Sequence, residues 1–566
     1  MPARDSTLIP DIENSKNWNQ TKNVYIEGDN LEVLKLLQRA YAEKVKFIYL
    51  DPPYNTGKDF VYHDNFQDSY KNYLKQTGQI DIQGNATVTN KETNGRFHTD
   101  WLNLMYPRLK LARNLLSNDG IIAMSIDDGE LENLRKISSE IFGESNFLGQ
   151  ITYVNNPKGR SQDKYLATSS EYILLYSKAM LTPGEISVQK DNDKIEHQYP
   201  LRDANGQYRL IELRNTHREF GKFNRPNLYY GIYVASDGTV LSNKLGSVEQ
   251  VFPIWNDGFL GCWTWGTEKF QDEIGLLIAK KQQDSWKIYR KDYAEKDGKT
   301  LTKVQTLLTD KKFFTEKGQL SLNRLFQSSD KIFQSPKSVA LLQLLIEMGT
   351  NSDSIVLDFF SGSASTAQAV FEQNIKDDGS RRFIMVQLPE ATPDGSVAKA
   401  NGYNTIAEIG EDRIKRAGVS LQKNISKQID DGFKLYKMAE STIQHWKEDP
   451  ASFENQLELL LANRFTEGSS ILDRVFEIAI KYGIPLDVTP SKQNNIYHFV
   501  SSDKELFIVM GQYDATIISN LNGQRILQFA TVVLIEEDHG SEVKFNLIEQ
   551  LKQNEELNNH FNLEWL

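Results

Sequence analysis

The chain has 566 residues, more than one hydrophobic core serves, so three or four domains are expected. Its one cysteine, Cys262, excludes an internal disulfide and a cysteine-cluster metal site, and no run approaches the ~18 consecutive apolar residues of a membrane span. The net charge of −11 argues against nonspecific coating of nucleic acid but leaves room for a local basic surface. The start, MPARDSTLIPDIENSKN, lacks the apolar stretch of a signal peptide, so a cytoplasmic protein with no membrane partner is expected.

From Asn23, NVYIEGDN predicts a short strand and LEVLKLLQRAYAEK an amphipathic helix, with Leu31, Leu34, Leu37 and Tyr41 at helical spacing. VKFIYLDPPYNTGKDF predicts a buried strand ending in a loop. Residues 77–96 are polar and rich in Gly, Asn and Thr, which predicts a long loop. TDWLNLMYPRLKLARNLLSNDG predicts a helix capped by Asp100, stopped by Gly120, and kinked or split at Pro107. GIIAMSIDD and GELENLRKISSEIFG continue the strand–helix alternation. Residues 154–328 mix short β-like runs with aromatic and basic residues; EYILLYSK still predicts a sheet strand, and the rest an irregular domain.

Around Lys331 the α/β pattern resumes. SPKSVALLQLLIEMG, ASTAQAVFEQN and NTIAEIGEDRIKRAG predict helices, and DSIVLDFFSGS and RRFIMVQL strands. Near Lys423 the sheet pattern ends. Helices are predicted over ENQLELLLANRF and SSILDRVFEIAIKYG, and strands in NNIYHFVSS, KELFIVM and RILQFATVVLIEE. The pattern describes one α/β domain, a doubly wound and mostly parallel sheet, written in two pieces at 1–179 and 329–424. A second domain at 180–328 is inserted between them, and an α+β domain follows at 425–566.

Asp51-Pro52-Pro53-Tyr54 directly follows the apolar strand VKFIYL. Two consecutive prolines hold a rigid loop and donate no hydrogen bonds, yet their carbonyls still accept. At the carboxyl end of a sheet strand such a loop faces a ligand. The amine of adenine is a poor nucleophile because its lone pair is delocalised. A carboxylate (Asp51) and a carbonyl (Pro52) accepting its two protons favour a reactive geometry, and Tyr54 can stack on a base taken out of a duplex. The competing reading of DPPY is a rigid turn alone. Asp358-Phe359-Phe360-Ser361-Gly362-Ser363 follows the strand SIVL and opens a helix; Gly362 permits close backbone approach and Phe360 can cover a ring. Without a Gly-Lys-Ser/Thr signature, ATP is not expected.

DPPYNTG, a distant FxGxx turn, and Pro336-Lys337 before it resemble the β class of DNA amino-methyltransferases, in which the catalytic motif precedes the recognition domain and the cofactor motif follows it. GRFHTDWLNLMYPRLKLARNLL, GIIAMSIDDGE, FIMVQLPE and EDRIKRAG look like the modification subunits of type III restriction-modification systems. The resemblance implies an S-adenosylmethionine-dependent methyltransferase fold and methyl transfer to N6 of a flipped adenine in double-stranded DNA. It places Asp51, Pro52, Pro53 and Tyr54 around the base, and Asp358, Phe359, Phe360, Gly362 and Ser363 at S-adenosylmethionine. Lys337 and Ser338 assist, Asp29 faces the cofactor's amino-acid end, and Gln387 or Glu390 holds the ribose. Ala364 departs from the family's glycine. The same resemblance implies a homodimer with an ATP-dependent helicase–nuclease partner.

The alternatives are N4-cytosine methylation, which uses the same amine chemistry, and a solitary adenine methyltransferase without a nuclease. Asp at the first motif position favours adenine. A protein glutamine methyltransferase places its motifs in the reverse order, and a DNA-binding subunit with a dead catalytic domain would not need an intact DPPY loop. Cys262, far from DPPY, argues against C5-cytosine chemistry, which needs a cysteine nucleophile. In the insertion, Arg214, Arg218, Lys222 and Arg225 interleave with Phe220, Phe223, Tyr229 and Tyr230, a pattern suited to DNA contact. The histidines show no metal spacing, so no metal is expected.

Overall fold

A computed structural model describes residues 6–56, 97–159, 165–182, 184–190, 192–244, 248–282, 285–295, 300–423, 425–444, 464–514, 516–535 and 541–566. The chain divides into two compact units, Met1–Ile186 with Gln305–Leu566, and Ser187–Val304.

The first unit is built on a ten-stranded sheet. In chain order its strands are β1 (Ser6–Lys16), β2 (Val24–Glu27), β3 (Val45–Leu50), β4 (Leu116–Ile126), β5 (Phe147–Val154), β6 (Ser170–Ser177), β7 (Leu307–Leu308), β8 (Ile355–Asp358), β9 (Arg382–Gln387) and β10 (Phe433–Glu440). They lie in the order β1-β10-β2-β9-β8-β3-β4-β6-β5-β7. The strands from β10 to β4 are mutually parallel, and β1 and β6 flank them antiparallel. Parallel strands covered on both faces are apolar throughout. All of β8 is buried, and in β3 only Lys46 reaches solvent.

The helices are α1 (Asn30–Tyr41), α2 (Phe97–Leu115), α3 (Leu131–Phe142), α4 (Val339–Gly349), α5 (Ser365–Asp377), α6 (Ile406–Gln422) and α7 (Ile471–Lys481). The two pieces of the α/β pattern meet at β3 and β8, where Ile48 pairs with Leu357 and Tyr49 with Asp358. From β8 the chain passes through α5 to β9 on one side; from β3 it continues to β4 on the other. The carboxyl ends of β3 and β8 therefore flank the point where the winding reverses, the place where open α/β sheets bind ligands.

Several expectations need correction. Helix α2 runs unbroken through Pro107, because Trp101, Met105, Leu109 and Ala112 are buried on it and tertiary packing outweighs one lost backbone hydrogen bond. Asp100 lies in its first turn, and β4 begins at Leu116, before Gly120. The sheet does not end near Lys423: β10 pairs with β2 inside it. Its two lysines disguise it, yet Lys434 is buried, donating to the Asp487 carbonyl at 2.7 Å and to Thr489 at 2.6 Å.

Residues after β10 share the sheet's core. Helix α7 starts with a capping box at Ser470 and Asp473, and its Phe476 ring lies 5.8 Å from Trp18 and 5.9 Å from Tyr436. A five-stranded sheet follows, with Tyr497, Phe499 and Leu506 in the same core. The helix expected over ENQLELLLANRF lies almost wholly outside the described residues, as does the loop expected at 77–96. The second unit is β-rich, with three- and four-stranded sheets around Leu213, Ile232, Trp263, Trp265 and Ile288. Residues 305–328, expected in the insertion, carry β7 and the helix Thr315–Phe326 and group with the sheet.

Candidate active site

The Asp51–Tyr54 loop leaves β3 held from behind. The Trp101 indole donates to the Pro53 carbonyl at 2.7 Å, and Asn55, in the left-handed region at φ 55°, donates to the buried Glu130 carboxylate at 2.6 Å. Among the described residues the Pro52 carbonyl accepts no hydrogen bond, so it remains available to a ligand.

Around this loop lies a buried charge cluster that the sequence did not disclose. The Lys337 ammonium stands 3.2 Å from Asp51 Oδ1 and 2.7 Å from Glu171 Oε2. It also donates to the hydroxyls of Tyr54 and Tyr153, and both hydroxyls donate to Glu171. Asn155 donates to the other Glu171 oxygen at 2.7 Å. Burial alone would raise the Glu171 carboxyl, but Lys337 and the hydrogen bonds bring it down to about 2. Asp51 moves the other way: burial and the Glu171 charge raise it, and Lys337 only partly offsets them. The ammonium is held protonated, well above its ordinary range, because two carboxylates and two phenols outweigh burial.

At the end of β8, Asp358 accepts from the Phe360 N–H at 3.0 Å and from the Thr366 hydroxyl at 2.6 Å. Burial nevertheless pushes its carboxyl up to about 7, and the Asp51 charge adds to this. The turn that follows needs left-handed backbone at Gly362 (φ 51°) and Ala364 (φ 57°). Gln387 accepts from the Gly362 N–H at 2.7 Å. Beneath the turn, the fully buried Arg413 donates to the hydroxyls of Ser363 and Ser365 and to Gln368.

Both loops open into a cleft of about 680 Å³, within the roughly 300–1,000 Å³ of small-molecule sites. Asp51, Pro52, Pro53, Tyr54, Lys337, Phe360, Gly362, Gln387 and Glu390 line it. Asp358 and Ser363 line a small adjoining cavity. The remaining expected residues lie apart from the lining. Asp29 caps α1, accepting from the N–H groups of Leu31 and Glu32, and faces Arg108 at 3.5 Å. Ser338 donates to the Lys312 carbonyl at 2.6 Å, and Phe359 is packed in the core. Sequence reasoning missed Glu171, Tyr153, Phe333 and Arg413. For Glu171 a signal existed: a carboxylate heading the otherwise apolar strand EYILLYS, where an unpaired charge is costly.

In the inserted unit, the four basic residues stand over aromatic rings. Arg214 and Arg218 lie 4.4 and 4.8 Å from the Trp255 ring centre, Lys222 4.7 Å from Tyr229, and Arg225 5.5 Å from Phe220. Arg218 also pairs with Asp257, and Arg214 with Glu212. Cys262 is buried, and burial raises its thiol. Among the described residues no cluster of His, Cys, Asp and Glu suits a metal, and no helix is long and apolar enough to cross a membrane.

A sequence profile of DNA methylases matches residues 45–392, a span that takes in both loops and the insertion. The chain belongs to this family. The methylase is 33% identical over 443 residues to the EcoPI Mod subunit of a type III restriction-modification enzyme from Escherichia phage P1, covering 76% of this chain and 67% of that protein. It is 32% identical over 470 residues to the EcoP15I Mod subunit from Escherichia coli (76% and 68%), and 31% over 396 residues to the type II methyltransferase M.KpnI from Klebsiella pneumoniae (70% and 87%). It is thus a DNA methyltransferase, and S-adenosylmethionine is the family's methyl donor.

Proposed function

We propose that the methylase modifies the exocyclic N6 amine of an adenine drawn out of the duplex, and that it is the modification subunit of a type III system. The observation that carries this is the pairing of the Asp51 carboxylate with the available Pro52 carbonyl at the cleft, beside the Tyr54 ring. Two acceptors match the two protons of the amine, and the ring offers a stacking face. The chain is also similar to several type III Mod subunits.

S-adenosylmethionine supplies a methyl carbon activated by a positively charged sulfur. The cleft suits it. Phe360 and Phe333 offer aromatic faces, the turn at Gly362 leaves backbone close at hand, and the Glu390 side chain has no partner among the described residues. We assign Glu390 to the ribose hydroxyls, since the Gln387 oxygen is already taken by the Gly362 N–H. With the methyl donor bound, the amine nitrogen would gain positive charge as it takes up the methyl group and would then give its surplus proton to solvent. Asp51 and the Pro52 carbonyl stabilise that charge as it develops.

The inserted unit reads the DNA sequence, with Arg214, Arg218, Lys222 and Arg225 as contact residues. The working form is a cytoplasmic homodimer that a helicase–nuclease subunit can join. Because β10 lies inside the sheet, a cut near Gln422 would damage the catalytic unit itself, so light scattering on the full chain is the test of the dimer. The reaction is tested by digesting treated DNA to nucleosides and identifying the methylated one by mass spectrometry. N6-methyladenine is expected; N4-methylcytosine would overturn the assignment.

A further inference from the structure

One cation stands between two carboxylates at the reaction loop. Asp51 is the one that faces the target amine if the Asp51–Tyr54 loop carries the function proposed for it, and the role of Glu171 rests on that function. With Lys337 as its sole partner, Asp51 would be held as half of an ion pair, next to a positive charge at the place where the amine must itself become positive. Glu171 changes that balance. Its carboxylate lies closer to Lys337 than Asp51 does, 2.7 against 3.2 Å. Counting Lys337 as +1 and each carboxylate as −1, the cluster is net −1 with Glu171 and neutral without it. The same carboxylate accepts the hydroxyl of Tyr54 at 3.1 Å and so fixes the ring on which the base would stack.

We propose that Glu171 is a positioning residue of the methyl transfer: it serves as the counter-ion of Lys337 and anchors the Tyr54 ring, which leaves Asp51 available to the amine. Glu171 does not itself need to touch the base. Its own position is set by Tyr153 and Asn155, which lie on or just beyond β5 and donate to its two oxygens.

The test uses the full chain, duplex DNA carrying its site, and the variants Glu171→Gln and Glu171→Asp. Glutamine keeps the size and can still accept from Tyr54 and Lys337, and a flip of the Asn155 amide, whose Nδ2 now donates to Glu171 and whose Oδ1 has no partner among the described residues, turns an acceptor toward the new amide. The groups facing Asp51 are Lys337, Glu171, Tyr49, Tyr54, Tyr153 and Asp358, and only one of them changes in each variant. For Glu171→Gln we expect kcat to fall about 100-fold, with the dissociation constants of S-adenosylmethionine and DNA within a factor of about three. The acid limb of the kcat profile should move to lower pH, because the Glu171 charge no longer raises Asp51. Glu171→Asp, which keeps the charge, should return the limb toward its original position. A Glu171→Gln protein with wild-type kcat would overturn the proposal. So would one whose loss is entirely in cofactor affinity, or whose acid limb stays in place. Asp51→Asn in the same assay separates the two levels: if it keeps wild-type activity, the reading of the loop fails; if it is inactive while Glu171→Gln is normal, only the role of Glu171 fails.

Discussion

Lys337 is buried between two carboxylates and two phenols, with 11% of its side chain exposed, whereas Arg218 lies over Trp255 with 56% exposed. Both are cations beside aromatic rings, yet they are held by different means. The buried ammonium has every partner fixed by strands and loops of one sheet, so its charge and those of its neighbours are set by geometry. The guanidinium in the inserted unit rests on a ring face, and its ion pair with Asp257 is on the surface, where such pairs contribute little. A cluster of the first kind suits chemistry that tolerates no misplacement. One of the second kind can exchange a carboxylate for a phosphate with little cost to the fold.

The largest effect follows directly. Asp51→Ala should lower methyl transfer by about 1,000-fold or more, with cofactor binding retained, because Lys337 keeps Glu171 as its partner. Arg218→Ala should leave the single-turnover rate on bound DNA unchanged. It should weaken DNA affinity and reduce the slope of log affinity against log salt by about one. Labelled-methyl transfer and salt-titrated DNA binding on both variants test the contrast. If Arg218→Ala slowed chemistry at saturating DNA, the division between the two clusters would fail.

Asp358 sharpens the buried side. Its carboxyl, raised from 3.8 to about 7 chiefly by burial, favours the folded state in its protonated form. The stabilisation is fully present below the unfolded value and is lost as pH rises through about 7. Asp358→Asn removes that titration. Relative to wild type, the variant should gain roughly 3 kcal/mol between pH 5 and pH 8. Urea unfolding at the two pH values measures it; parallel stability profiles would show that Asp358 is solvated in the folded chain.

The sheet was legible because its strands are short apolar runs separated by helices of clear period, and DPPY because two prolines end such a strand. β10 was not, since FKLYKMAE places lysines where burial was needed, and only the tertiary partners of Lys434 make room for one. The charge cluster was illegible for a related reason. Asp51, Glu171 and Lys337 come from three distant segments, and nothing in their spacing foretells that they converge. Lys337 was expected at the cofactor; its observed partners are Asp51, Glu171, Tyr54 and Tyr153. Asp29 was placed at the cofactor by the family resemblance alone; in the fold it is the N-cap of α1.

A smaller effect is expected at the aromatic wall. Phe360 lines the cleft and packs against Phe359 with ring centres 5.4 Å apart. Phe360→Ala should weaken S-adenosylmethionine binding by about 1–3 kcal/mol, as for loss of a stacked aromatic. Calorimetry showing unchanged affinity would move the cofactor to another part of the cleft.

The smallest effect concerns the turn itself, where one residue departs from the family pattern. Ala364 is fully buried in left-handed backbone, at φ 57° and ψ 39°. For an alanine that conformation costs roughly 1 kcal/mol, which glycine would relieve. Glycine would in turn give up a buried methyl, about 0.8 kcal/mol, and add freedom to the unfolded chain, about 0.5–1 kcal/mol. The terms nearly cancel, so Ala364→Gly should change stability by less than about 1 kcal/mol and leave cofactor affinity as it is. Gly362 tests the other direction. It shares the left-handed backbone, but a Cβ there would meet the Phe333 ring at 3.3 Å, on the wall of the cleft. Gly362→Ala should therefore displace Phe333 and weaken S-adenosylmethionine binding, even if the backbone accepts alanine as readily as it does at position 364. Thermal melts and calorimetry on the two variants separate backbone strain from contact. Equal effects on cofactor affinity at both positions would mean that the turn is sensed only through its backbone.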